Sequence, residues 1–313
     1  MTTSRIRISH AGPYVTFQDG GRPGHMRFGV PASGPMDCTS FTAANLAIGN
    51  DRDTTCIEVS MGGLSLECLS GGLTLSVVGG QFTVDHAEHS LQSGVVVTLE
   101  KGQILNIRPG ASGNWCYLAF AGQLNASTWL GKSATHALSG FGGGILATGQ
   151  ELAVSNSRMM RQLDGPVAAF NTRSFGKHLR VVMGPQDQHF TSEAVKNFLG
   201  SEFTLSDAYD RMGVRLKGPK LALDGSLSIP SEPVLKGSVQ VAGDGVPTVL
   251  LADHQTTGGY PKIATVISAD LDDFAQMRPR QKFRFQAIEP KDAIMLARMR
   301  AIELRSYYET VSR

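Results

Sequence analysis

Short apolar runs that alternate with polar residues and stop at glycine-containing turns constrain this chain's fold more than any other feature. Arg5 to Ala11, Thr55–Val59, Leu64–Cys68, Leu73–Val78, Val95–Leu99 and Ile104–Arg108 all follow this pattern. Successive side chains of a strand point to opposite faces, so a two-residue period sets one face against a core and one toward water. Glycine is abundant, 36 of 313 residues, and punctuates the runs. Regular short strands at this spacing build barrels or sandwiches. The chain is therefore expected to be mainly β.

A second set of strands is expected at Leu179–Met183, Glu202–Leu205, Gly213–Leu216, Gly237–Val241, Thr248–Asp253, Lys262–Ser268 and Phe283–Ala287. A chain of this length accommodates two lobes. The glycine-rich stretch Gly140 to Gly144 and the polar segment Ser155 to Pro166 mark the boundary, giving an N-terminal lobe over 1–160 and a C-terminal lobe over 161–313. Few helices are expected. Ser40 to Ile48 is one, with Ser40 as N-cap and Gly49-Asn50 as its stop. Thr191 to Leu199 is a second. The tail Asp292 to Tyr308 is a third, with Ile294, Ala297, Ala301, Leu304 and Tyr308 on its packing side.

The net charge of +2, with 18% charged residues, gives no reason for a polyanion partner, so nucleic-acid binding is not expected. No run approaches the roughly 18 apolar residues of a membrane span. Arg5, Ile6, Arg7 and Ile8 read as a first strand and not as a secretion signal, so a cytoplasmic protein without membrane association is expected. Cys38, Cys56, Cys68 and Cys116 lack the close pairing of a zinc knuckle or disulfide framework.

Two motifs are misleading. Ala126 to Ser133 satisfies the loose form of a phosphate loop, yet its interior is bulky Trp129-Leu130 where a nest of backbone N–H groups is needed. Asp85-His86-Ala87-Glu88-His89 concentrates metal-ligand types, but a strand would point His86 and His89 to opposite faces and a turn would leave a solvated hairpin tip. No metal site is expected. The nucleophile elbow Gly-x-Ser-x-Gly is absent.

Three polar, glycine-rich segments carry candidate chemistry. The loop from Gly12 to Asp37 is long, and Phe17, Phe28, Val30 and Met36 are expected to anchor it. Within it Gln18, Asp19, Arg22, Ser33 and Asp37 supply donors and acceptors, and Gly34 allows close backbone approach. Either these face a ligand, or Asp19 and Arg22 pair with each other in a structural loop. In the second segment, Ser206 to Gly213, Arg211 either clamps a substrate carboxylate or ties a turn through Asp210. The third runs Asp253-His254-Gln255-Thr256-Thr257-Gly258-Gly259-Tyr260-Pro261-Lys262 between two apolar strands. A simple hairpin needs only a two-residue turn, so this polar excess points to a site presented by a rigid scaffold.

In this order and spacing, the segments resemble the family named for the second subunit of allophanate hydrolase, which includes the C subunit of 5-oxoprolinase and the carboxyltransferase portion of urea carboxylase. The matching stretches are Thr16 to Gly24, Gly29 to Asp37, Ala44-Asn45 with Gly49-Asn50, Gly184-Pro185-Gln186, Asp210 to Gly213 with Arg215-Leu216, Gln240-Val241 and Asp253 to Asp270. Gln255 to Ala264 is the most diagnostic. The chain departs from the family pattern at Ala134-Thr135-His136, where Ser-Thr-Asp is usual, at Asn114-Trp115-Cys116, and at Gly122-Gln123.

The resemblance implies two tandem cyclophilin-like barrels. It also implies membership of an ATP-dependent 5-oxoprolinase complex that opens 5-oxoproline to glutamate. The implied partners resemble the first subunit of allophanate hydrolase, which corresponds to the B subunit of 5-oxoprolinase, and the A subunit of 5-oxoprolinase. ATP then acts at the level of the complex. Biotin enters only under an alternative, a urea carboxylase-like carboxyltransferase component; a further alternative is a regulatory protein that binds a kinase-inhibitor homologue. Under the leading expectation Asp19, Arg22, Arg211, Asp253, Gln255 and Lys262 are catalytic candidates. Gln18, Ser33, Gly34, Asp37, Thr256, Thr257, Gly258, Gly259 and Tyr260 are substrate-binding candidates, and Arg211→Ala is expected to abolish turnover in a folded chain.

Overall fold

The computed structural model describes residues 2–170, 178–225 and 229–312. The chain divides into two compact units that are not contiguous in sequence. One comprises Met1–Arg22, Ser33–Asn171 and Leu304–Arg313, and the other Pro23–Ala32 and Thr172–Glu303.

The first unit holds two sheets. Seven strands run in the order Gln123–Leu124, Glu151–Ser155, Thr3–Ala11, Leu64–Ser70, Ile104–Arg108, Thr83–His86 and His89–Gln92. Six run in the order Gly165–Pro166, Val95–Glu100, Gly72–Val78, Trp115–Phe120, Cys56–Ser60 and Thr16–Gln18. Both sheets contribute to one core: Ile6, Ile8, Leu66 and Ile107 come from the first, and Leu75, Val97, Leu118 and Phe17 from the second. The alternation at Arg5 to Ile8 does what its period demands, burying Ile6 and Ile8 and exposing Arg5 and Arg7.

The second unit is a closed barrel in the order His178–Met183, Lys262–Val266, Ser238–Val241, Pro247–Leu250, Gly213–Lys217, Phe203–Tyr209 and Lys282–Ala287. A ring of seven strands cannot be antiparallel at every step. The odd step is the parallel pairing of His178–Met183 with Lys282–Ala287. Phe203, Phe283 and Phe285 point inward, and the helix Ser192–Gly200 packs Phe198 on Phe285 with ring centroids 4.2 Å apart. Thr191 caps that helix by accepting from the Ala194 N–H at 3.1 Å. The expected mainly β fold is therefore present, with the closed barrel in the second unit and two sheets around a shared core in the first.

Local details shift three expectations. The first helix is Cys38–Leu46, and its N-cap is Asp37 in place of Ser40. Asp37 Oδ1 accepts from the Ser40 N–H at 2.9 Å, and Ser40 Oγ donates to Oδ2 at 2.6 Å. The C-terminal helix runs Pro290–Val311, but its fully buried residues lie only in its last turns. Tyr308 and Val311 are buried in the first unit's core, while Ile294 and Ala301 are exposed. The apolar stripe through Ile294, Ala297 and Ala301 is present as the spacing predicts, but upstream of Leu304 it stays exposed or half-buried. A helix at Ser268–Ala275 begins where the sequence pattern extended a strand to Ser268, because Ile267 provides no side-chain cap to announce it.

Asp37 links two structures at once. Its own N–H donates to Tyr117 Oη at 2.8 Å, and Tyr117 donates to buried Glu58 at 2.8 Å, which also accepts from the Met36 N–H at 2.9 Å. Burial, followed by the charge of Glu58, pushes the Tyr117 hydroxyl well above its ordinary value. Asp37→Ala is expected to lower stability by about 0.5–2 kcal/mol, the cost of an N-cap. Asp37→Asn should restore most of it in chemical denaturation, and full destabilisation by Asn would refute the capping role.

Candidate functional site

The third polar segment forms one end of the barrel in the second unit. Asp253 fixes its start: Arg211 donates to it in a fork, Nε to Oδ2 at 2.9 Å and Nη2 to Oδ1 at 3.0 Å, and the Asp253 N–H bonds the Arg211 carbonyl at 2.8 Å. Both side chains are buried, at 3% and 4% exposure. Asp210 makes the adjoining turn by itself, accepting from the N–H groups of Met212 at 2.8 Å and Gly213 at 3.2 Å. Arg211 is thus the buried counter-ion of Asp253, a partnership that neither reading of the sequence anticipated. Removing one member of a buried pair strands the other's charge.

Lys262 fixes the far end. Its N–H donates to Gln186 Oε1 at 3.0 Å and its carbonyl accepts from the Gln186 N–H at 3.1 Å. Between the two anchors, Thr257–Gly258 pairs with Glu232–Pro233 as a short ribbon. The ribbon is extended by Val234 N–H to Thr256 O at 3.1 Å and Ile229 N–H to Gly259 O at 2.9 Å. Gln255 donates its side-chain amide to Gln240 at 3.1 Å. Gly258 lies against both: a Cβ there would sit 3.3 Å from the amide nitrogens of Gln240 and Gln255. Tyr260 and Thr257 are exposed.

Lys262 Nζ is the unusual group. Its side chain is 2% exposed, and among the described residues no hydrogen-bond acceptor reaches it. Glu232 Oε2 stands 3.7 Å away, held by a hydrogen bond from Gln186 Nε2, and its side chain is 49% exposed. The cluster therefore comprises three side-chain amides, one carboxylate and one ammonium. Gln186, Gln240 and Glu232 were not singled out from the sequence as site residues. The first two lie in stretches that matched the family, while Glu232 sits in a polar segment that carries no local signal.

His254 is buried and bonds the Gln255 carbonyl through Nδ1 at 2.6 Å. A carbonyl only accepts, so Nδ1 carries the proton and Nε2 the lone pair. Burial, reinforced by Lys236 and opposed by that hydrogen bond and by Asp253, holds its pKa below 6.5.

In the first unit the charged candidates Asp19 and Arg22 are bonded to backbone. Asp19 accepts from the Gly21 N–H at 2.9 Å and, through its second oxygen, from the Ser133 N–H at 2.7 Å. Arg22 donates to the carbonyls of Trp129 and Ala134 and lies over the Trp129 ring. Gln18 donates to Thr16 and Thr135, leaving its Oε1 without a partner among the described residues; Ser33 Oγ is likewise without one. Gly34 packs on Gly21, where a Cβ would meet backbone atoms at 3.3 Å. Phe17 and Met36 anchor the loop, but Phe28 is 67% exposed. The phosphate-loop look-alike is a tight turn: Trp129 and Lys132 bond each other's backbone at 2.9 and 3.2 Å, with Leu130 and Gly131 at positive φ. Those N–H groups cannot cradle phosphate. His136, a departure from the family pattern, caps a short helix by accepting from the Ser139 N–H at 3.3 Å.

Among the described residues no three His, Cys, Asp or Glu side chains gather to hold a metal, and no helix is long and apolar enough to cross a membrane. A two-unit, mainly β chain with an amide-rich barrel end has the architecture of a carboxyltransferase domain. The chain belongs to that family: residues 28–287 match the model described as "Carboxyltransferase domain, subdomain A and B". It is 31% identical over 293 residues to the C subunit of 5-oxoprolinase from Escherichia coli, covering 92% of this chain and 93% of that protein. The solved structure of TTHA0988 is 33% identical with a TM-score of 0.79, over 90% of this chain and 55% of that one, so the chain spans about half its length. The Kluyveromyces lactis urea amidolyase shares the fold with a TM-score of 0.86 at 24% identity, over 97% of this chain and 20% of that one.

Two outcomes follow from this geometry. Arg211→Ala is expected to destabilise the chain by about 3–5 kcal/mol, because it leaves Asp253 buried and uncompensated, whereas Arg211→Met with Asp253→Leu should cost less than either single change. Equal losses in denaturant unfolding would refute this. For His254, the folded state favours the neutral ring, so the unfolded chain binds more protons as pH falls below 6.5. Stability contributed by His254 is present above that pH and is lost on acidification toward its depressed folded value. His254→Gln should flatten that part of the pH profile, and an unchanged slope would count against it.

Proposed function

We propose that this chain is the C subunit of an ATP-dependent 5-oxoprolinase, acting with the A and B subunits to open 5-oxoproline to glutamate. The observation that carries this reading is the near end-to-end similarity to the Escherichia coli protein, 92% of one chain against 93% of the other. The barrel end suits the chemistry. A lactam carbonyl is resonance-stabilised and a poor electrophile, and donors aimed at its oxygen stabilise the charge that develops when it is activated. Converting that oxygen to a phosphorylated leaving group with ATP makes attack by water feasible.

In this chain Gln255, oriented by Gln240, and Lys262 are the groups suited to meet the amide. Thr256, Thr257, Gly258, Gly259 and Tyr260 shape the hairpin over them. Arg211 and Asp253 hold the hairpin in place, and Asp19, Arg22, Ser33, Gly34 and Asp37 shape the first unit's loop. Membership of the carboxyltransferase family, with 28% identity to the urea amidolyase of Saccharomyces cerevisiae, supports a second reading, a carboxyltransferase component served by biotin on a separate carrier.

The test is reconstitution. All three proteins of the complex with 5-oxoproline and ATP should form glutamate and phosphate, and omitting this chain should abolish glutamate. Gly258→Ala should lower turnover, because a Cβ 3.3 Å from the amide nitrogens of Gln240 and Gln255 forces these positioned groups to shift. No glutamate from the folded, complete set would refute the proposal.

A further inference from the structure

We infer that Lys262 and Glu232 form a two-point reader for the edge of a cis amide, with Lys262 donating to the carbonyl oxygen and Glu232 accepting from the N–H. The inference rests on the proposed amide substrate and deepens it by assigning the atoms that recognise that group.

Among the described residues Lys262 Nζ has no hydrogen-bond acceptor. A buried ammonium without a hydrogen bond is costly, so the site is completed by an incoming one. That acceptor need not be charged: Glu232, 3.7 Å away, already balances the ammonium. A carboxylate or phosphate oxygen seated on Nζ itself would instead meet the like charge of Glu232. A neutral carbonyl oxygen supplies the missing acceptor without repulsion.

The same carboxylate selects among neutral carbonyls. In a lactam or a urea the C=O and an N–H lie on one edge, with O and N about 2.3 Å apart given the standard C=O and C–N lengths. Two hydrogen bonds of about 2.9 Å from that edge reach partners somewhat farther apart than the edge itself, which the 3.7 Å between Nζ and Oε2 satisfies. A trans amide carries its C=O and N–H on opposite edges and cannot bridge the pair.

Gln186 sets the spacing. Its backbone and side-chain oxygen are bonded to the Lys262 backbone while its Nε2 holds Glu232, so both readers are referenced to one residue. It is a positioning residue. The ammonium has almost no solvent contact, so entry requires Glu232 to swing outward and return, which its 49% exposure permits. The swing is a side-chain rotation that releases the hydrogen bond from Gln186 Nε2 and leaves the backbone pairing of the ribbon in place.

The test is calorimetric binding of 5-oxoproline and N-methyl-5-oxoproline to the full chain and to the assembled complex, without ATP. N-methylation should weaken binding by at least about tenfold in the wild type, because it removes the charge-assisted hydrogen bond to Glu232 and sets a methyl group against that carboxylate. Glu232→Ala should bind both compounds alike, Lys262→Met should lose both, and circular dichroism should show folded variants. Equal binding of the two compounds by wild type, retained discrimination in Glu232→Ala, or no binding of either compound, urea or biotin would overturn the inference. Urea and biotin carry the same edge and form separate arms. If they bind with the same Glu232 dependence and 5-oxoproline does not, the reader stands and the oxoprolinase reading falls.

Discussion

The buried fork between Arg211 and Asp253 is the constraint on which the barrel end depends. It pins the strand Pro247–Leu250 and the residues that follow to the turn entering Gly213–Lys217, so the polar segment leaves the barrel at a fixed point. Gln186 pins the other end through two hydrogen bonds to the Lys262 backbone, one from its own N–H and one to its side-chain oxygen. Between such anchors a segment rich in glycine and hydroxyls holds one shape, and the side-chain amides of Gln186, Gln240 and Gln255, from separate segments, are brought to a common place. A charge pair of this kind adds little net stability over apolar residues; what it contributes here is the exit geometry of the hairpin.

The first unit uses its conspicuous polar residues differently. Asp19 and Asp37 each terminate backbone N–H groups, one at a turn and one at a helix start. Arg22 is a buried cross-link to the carbonyls of Trp129 and Ala134 and stacks on Trp129, which itself stacks on Phe141 with centroids 3.9 Å apart. Even the departure at His136 preserves an N-cap acceptor. These residues attract attention in a sequence for the same reason they serve the fold: carboxylates and guanidinium groups satisfy several backbone groups at once.

Strand periodicity was legible because it has a local cause. The runs near Leu73–Val78, Gly213–Leu216 and Phe283–Ala287 fall within a residue of the observed strands. The hairpin at Asp253 to Lys262 was legible as an excess of polar chemistry over what a turn requires. The partnership of Arg211 with Asp253 was not, since it joins residues 42 positions apart, and the nearby Asp210 offered a plausible local partner. Glu232 was invisible for a related reason. Its importance comes from a two-residue ribbon that places it beside Lys262, and no pattern within its own segment records that neighbour. Local signals report periods, caps and turns; long-range pairing of single polar residues leaves no trace in one sequence.

The central claim is that the barrel end in the second unit contacts the amide substrate. Backbone amide chemical shifts of the full chain, followed during titration with 5-oxoproline, test that directly. Changes concentrated at Gln186, Glu232, Gln240 and the stretch from Gln255 to Lys262 are the predicted result. Saturable changes confined to the loop from Thr16 to Asp37, with that cluster unmoved, would contradict it.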